Sequence, residues 1–201
     1  LYSLRLCPGM GERKKEGGNM INFRDLKEKE IECRVATCKA SGVSLLLYKD
    51  ARCDMNILDE TVGAENWQRR HELINGNLFC EVGINKNYDS GDNYAEYVWK
   101  QDVGTESYTE KEKGQASDAF KRACFNWGIG RELYTAPFIW ISSKDGNVTL
   151  DNKNGKTATY DKFAVEQIII EKKIIVALSI KNISLSKRVF TYDIRKKGDK
   201  A

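Results

Sequence analysis

The stretch from Gln115 to Gly130 permits one local structure, a helix with two unlike faces. Ala116, Ala119, Phe120, Ala123, Cys124 and Trp127 recur at helical spacing and form an apolar stripe. A stripe that wide must be covered by a second layer, so whatever else the chain does, it packs something onto this helix. Lys121 and Arg122 project away from the stripe as adjacent cations. Ser117 and Asp118 are suited to satisfy free amides if the first turn begins there, and Gly128 and Gly130 end the helix. Lys111 and Lys113 stand just ahead of it, at the end where the helix dipole disfavours positive charge. A solvated face accounts for any one of these four cations. All four around one short helix point to an anionic partner, phosphate foremost.

The rest of the chain reads as strands and turns. Residues 31–38 and 43–49 form two strands joined at Lys39-Ala40-Ser41-Gly42, a hairpin. Asp54 to Val62 has helical periodicity in Met55, Leu58 and Val62, with Asp54 as its N-cap and Gly63 as its stop. Strands over about 67–74, 77–86 and 94–102 follow, with turns at Asn75-Gly76 and at 87–93. After the 115–127 helix come a helical turn at Arg131–Tyr134 and a strand over 138–141. Further strands lie at about 163–171, 174–181 and 189–193. This order predicts an α+β fold: an antiparallel β-sheet, made of the hairpin plus a three-stranded meander, packed against the long helix, with extra C-terminal strands. Four segments follow. Residues 1–19 are a polar leader or tail, with a start at Met20 expected from the purine-rich coding that Lys15–Asn19 implies. Residues 20–142 are the core domain, 143–194 its C-terminal β extension, and 195–201 a basic tail.

Composition narrows the chemistry. A net charge of +4 is too small for binding by bulk charge, so a nucleic-acid site would need its cations concentrated in a groove. The six cysteines include no C-x-x-C pair and the one histidine is His71, so no zinc site is expected and the thiols read as reduced, small core residues of a cytoplasmic protein. No apolar run is long enough to span a bilayer. There is no G-x-x-x-x-G-K-[ST] loop, and Gly128-x-Gly130 closes a helix where a dinucleotide fingerprint would open one. His71 sits in a charged strand start and reads as a surface residue. Asp54, Asp59, Glu60, Asp89, Asp92 and Asp102 fall mostly in turns and caps, a poor pattern for a two-metal nuclease. No catalytic residue, metal or cofactor is expected.

What remains is binding. Trp67, Tyr94, Tyr97, Trp99 and Tyr108 lie along the meander, either as a base-stacking face or, the preferred reading for Trp67 and Trp99, as core of the sheet–helix layer. The basic residues Lys49, Arg52, Arg69, Arg70, Lys100, Lys111, Lys113, Lys121 and Arg122 fall at strand ends and helix starts that are expected to converge on one groove.

From about Ala40 to Gly130 the chain resembles the Rad52 family of single-strand annealing proteins, in its short phage and prophage form. The resemblance lies in Asn56-Ile57-Leu58-Asp59-Glu60-x-Val62-Gly63-x3-Trp67, the meander, Gly104, and Ser117-Asp118-Ala119-Phe120-Lys121-Arg122-Ala123-x3-Trp127-Gly128, continued by Ile129-Gly130-Arg131-x-Leu133-Tyr134. It implies a homo-oligomeric ring that holds single-stranded DNA in an outer cationic groove, backbone inward and bases outward. By position it implies Lys121 and Arg122 as the principal groove cations and Lys113 as a further one. Lys111, Arg52 and Lys49 complete the candidate DNA-binding set; Arg52 is the neighbour of Cys53, which stands where the family has an arginine, and Phe125 replaces a second family arginine. The expected function is ATP-independent binding and annealing of complementary strands in recombination and repair. A phage exonuclease or a host single-strand-binding protein is the expected partner, and the bacterial cytoplasm the setting. A monomeric single-stranded nucleic-acid-binding module and a metal-dependent nuclease stand as alternatives.

Overall fold

A computed structural model of the chain describes residues 21–90, 94–105, 111–153 and 155–195. The proposed leader with Met20, the ring of Tyr108 and the tail beyond Arg195 lie outside the described residues. The elements are β1 (Glu32–Lys39), β2 (Gly42–Tyr48), α1 (Ala51–Val62), β3 (Trp67–Ile74), β4 (Asn77–Asn85), β5 (Tyr97–Val103), α2 (Lys111–Trp127), β6 (Ile139–Ser142), β7 (Asp151–Lys153), β8 (Lys156–Ala158), β9 (Phe163–Glu171), β10 (Ile174–Asn182) and β11 (Lys187–Asp193). A 3-10 turn over Arg131–Thr135 links α2 to β6. The fold is α+β with antiparallel sheets.

The expected single sheet is in fact divided. The meander β3-β4-β5 is a sheet of its own, whereas the β1–β2 hairpin belongs to a six-stranded sheet of order β11-β10-β9-β1-β2-β6. The hairpin reaches the C-terminal strands through one pairing, Glu32 with Ala164. A third ladder, β7–β8, arises in a polar stretch with no strand periodicity.

Helix α2 covers the meander. Cys80, Val82 and Ile84 alternate along β4 and point one way. They meet Ala119, Phe120, Ala123 and Cys124, and all seven are fully buried. The Trp127 indole donates to the Val82 carbonyl at 2.9 Å and the Trp67 ring stacks on Phe120 at 6.0 Å. Gly104 makes this closeness possible, since a Cβ there would overlap the Gln115 carbonyl and Ala119 of the helix. One contiguous core joins this layer to Ile57 and Leu58 of α1 and to Val43, Leu45, Ile175, Leu178 and Ile180 of the larger sheet.

Helix α2 begins four residues earlier than its periodicity suggests. Asp118 is therefore inside the helix and caps nothing; its carboxylate accepts from the Thr105 amide and hydroxyl at 3.0 and 3.1 Å. Helix α1 also starts early. Its N-cap is Asp50, which accepts from the Cys53 amide at 2.8 Å, and Asp54 sits buried in the first turn. Trp99 is not core. It lies on the meander face away from α2, above Gly83, with the Arg70 guanidinium 4.4 Å from its ring centroid.

Candidate nucleic-acid interface

Between the end of β2, the middle of α2 and the 131–135 turn lies an open groove of about 300 Å³. Its floor is built by a lysine that the chain turns inward. Lys49 follows the last residue of β2 and precedes the N-cap of α1, and it is 3% exposed. Its ammonium pairs with the Asp54 carboxylate and lies 4.4 Å from the centroid of the Phe125 ring. Gly130 permits this, because at φ 69° it caps the 131–135 turn in the left-handed region and a Cβ there would overlap the Lys49 stem. Burial lifts the Asp54 carboxyl to about 6, against the opposing pull of Lys49, and its Oδ2 has no hydrogen-bond partner among the described residues.

One wall of the groove is cationic. Lys121 is half-buried and makes no hydrogen bond or ion pair among the described residues. Arg122 has a single long contact, Nε to Asp102 Oδ1 at 3.3 Å, and its side chain is otherwise open to the groove. Asp118 shares this wall, with one oxygen engaged by Thr105. The other wall is apolar and comes from Leu46, Leu47 and Tyr48 of β2 and Leu133 and Tyr134 of the turn. Phe125 reaches between the walls and meets Tyr134 edge-on at 4.9 Å. A groove with cations on one side and leucine and tyrosine side chains on the other fits a ligand with an anionic edge and an apolar one.

The predicted basic residues do not gather as a set. Lys121, Arg122 and Lys49 line the groove. Of these Lys49 is held in its ion pair with Asp54, its side chain 1% exposed. Arg52 is also displaced. It is 83% exposed, donates to Asp50 at 3.0 Å and lines a different, acidic depression with Glu30 and Glu32. Lys113 is exposed on the first turn of α2, about 12 Å along the helix from Lys121 by its rise per residue. Lys111 opens the helix, and its side chain lies outside the described residues. Arg69, Arg70 and Lys100 serve the meander. Arg69 covers the Phe120 ring at 4.9 Å, Arg70 pairs with Glu81, and Lys100 donates to the Asn126 carbonyl at 2.9 Å over the Trp127 ring. His71 is exposed, with Nε2 at 3.1 Å from the Ala116 carbonyl.

The apolar wall was missed in the sequence. Its signal is the strand Val43–Tyr48, where a period of two buries Val43 and Leu45 and turns Leu46 and Tyr48, both apolar, outward. Burial pushes the Cys33 and Cys53 thiols up to about 12 and Cys80 to about 11, which keeps all three protonated. Among the described residues no three His, Cys, Asp or Glu side chains stand together as a metal site, and no helix is long and apolar enough to cross a membrane.

The model of the Rad52/22 family of double-strand break repair proteins matches residues 24–152, which span β1 to β6, both helices and every wall of the groove. The chain belongs to the Rad52/22 family. No individual curated protein and no solved structure matches it. Rad52-type proteins act in DNA recombination and repair; as a family they bind single-stranded DNA, anneal strands and form oligomers, and they work by binding rather than by catalysis.

Proposed function

We propose that this chain anneals complementary single strands of DNA without ATP, as a homo-oligomeric ring of the phage recombination type working in the bacterial cytoplasm. Each subunit lays the strand backbone along the groove between β2, α2 and the 131–135 turn. The observation that carries this reading is the pair Lys121 and Arg122. They are two adjacent cations on an open groove in a DNA-repair family, one with no hydrogen bond or ion pair among the described residues and one with a single long contact. Such cations hold phosphates without reading sequence, as annealing of arbitrary complements requires. A strand held by its backbone has already lost much of its conformational freedom, so pairing with a complement becomes more favourable. A phage exonuclease that exposes single strands, or a host single-strand-binding protein that coats them, is the partner chemistry this requires.

The test mixes complementary labelled strands with the purified protein in buffer free of nucleotide and magnesium, while light scattering reports mass. Accelerated annealing by a closed oligomer is the expected result. Annealing that requires ATP hydrolysis, strand cleavage on adding magnesium, or a monomeric mass at micromolar concentration would each contradict it.

A further inference from the structure

We infer that Tyr134 is a base-stacking residue: it presents its ring to one base of the bound strand while Lys121 and Arg122 hold the phosphates. The inference rests on the reading of the groove as a single-strand site and adds a contact that phosphate binding does not require. Tyr134 lines the groove and is 67% exposed, and among the described residues its ring has one aromatic contact, with Phe125. Its ring is braced from one side by the edge-on contact with Phe125, and Phe125 is in turn held by the Lys49 ammonium. The platform is therefore fixed before a ligand arrives, which limits the ordering a base would impose.

The other exposed rings nearby are already engaged. Tyr48, on the opposite lip, has the Arg34 guanidinium 5.1 Å from its centroid. Phe138 stacks on Trp140 with the planes 13° apart and does not line the groove. Tyr134 alone among the groove-lining rings offers an open face at the rim, where a base turned away from the floor would lie. Since every base has a π-face, such a contact tightens binding without imposing sequence.

The experiment compares an oligothymidylate with a strand of equal length carrying abasic sites, against the full-length protein, over a range of salt. The wild type is expected to prefer the base-bearing strand by about tenfold. Tyr134→Leu loses most of that preference, Tyr134→Phe and Tyr134→Trp keep it, and all share the same dependence of affinity on salt. Equal, salt-dependent binding of both strands by the wild type would overturn the stacking assignment and leave the groove reading intact. A preference that survives in Tyr134→Leu would do the same. If neither strand shows salt-dependent binding, the groove reading itself fails and the inference falls with it. Because the ring is mostly exposed, Tyr134→Leu is expected to melt close to the wild type; if it does not, the Phe and Trp variants and the abasic comparison still decide.

Discussion

Two pairs of cations, one on α2 and one at the β2–α1 corner, have opposite fates. On α2, Lys121 and Arg122 sit on the face away from the apolar stripe and stay open to the groove. At the β2–α1 corner, Lys49 and Arg52 are drawn away from it, one inward to Asp54 and one outward to Asp50. The difference lies in where acids fall. The corner supplies a carboxylate one residue after Lys49 and another in the first helical turn, whereas the nearest acid to Lys121 on its own helix, Asp118, is turned to Thr105. The buried Asp54 takes Lys49 into a direct ion pair, whereas it acts on Lys121 only at a distance and leaves that ammonium on the groove.

The strongest way to break this comparison is at Lys49. Lys49→Met leaves Asp54 buried without its cation and is expected to destabilise the fold by about 3–5 kcal/mol above pH 7. Adding Asp54→Leu, which removes the orphaned charge, is expected to restore most of that, and the double variant should bind DNA with an unchanged salt slope. Urea titration measures the first pair of effects; an altered slope in the double variant would make Lys49 a ligand contact after all.

Asp54 gives the next largest effect. Its folded carboxyl titrates at about 6 against an ordinary 3.8, so the folded state binds this proton more tightly than the unfolded chain does. The contribution is fully present below about pH 4 and is lost as pH rises through the folded value. The stability of the wild type relative to Asp54→Asn is therefore expected to fall by on the order of 3 kcal/mol between about pH 4 and pH 7. A flat difference across that range would show that Asp54 titrates alike in both states.

Much of this was legible beforehand. The α2 stripe told which face is buried because Ala119, Phe120, Ala123 and Cys124 carry a 3.6-residue period that only a helix satisfies. The three meander strands were equally plain from alternation and the Asn75-Gly76 turn. The partition into two sheets was not, because the joining pair Glu32–Ala164 is far apart in sequence and leaves no local trace. The start of α2 was obscured by Gly114, which lowers helix propensity, and by a first turn with no apolar residue to extend the stripe. In the site, Lys121 and Arg122 were visible as charges opposite a stripe. The loss of Lys49 to Asp54 was hidden by the late start assigned to α1, which made a buried acid look like a cap. Tyr134 was hidden because a ring on a turn carries no periodicity to say where it points.

The smallest effect sharpens the comparison from the other side. Arg52→Ala removes a fully charged residue, yet it lies in the acidic depression with Glu30 and Glu32. Its exposed pair with Asp50 is worth little. Affinity for single-stranded DNA is expected to change by less than about twofold, and stability by less than about 0.5 kcal/mol. A loss comparable to that of an α2 cation would extend the binding surface beyond the groove.

The most direct test of the groove is the salt dependence of single-stranded DNA binding by Lys121→Ala/Arg122→Ala. Both side chains lie opposite the buried stripe, so the variant is expected to keep its fold and assembly. If each cation neutralises one phosphate, the slope of log affinity against log salt becomes shallower by about 1.4 for each subunit's footprint, roughly 0.7 per contact on a single strand. Affinity should drop alike for all sequences. An unchanged affinity and slope would mean that Lys121 and Arg122 are a solvated helix face and that the strand is held elsewhere.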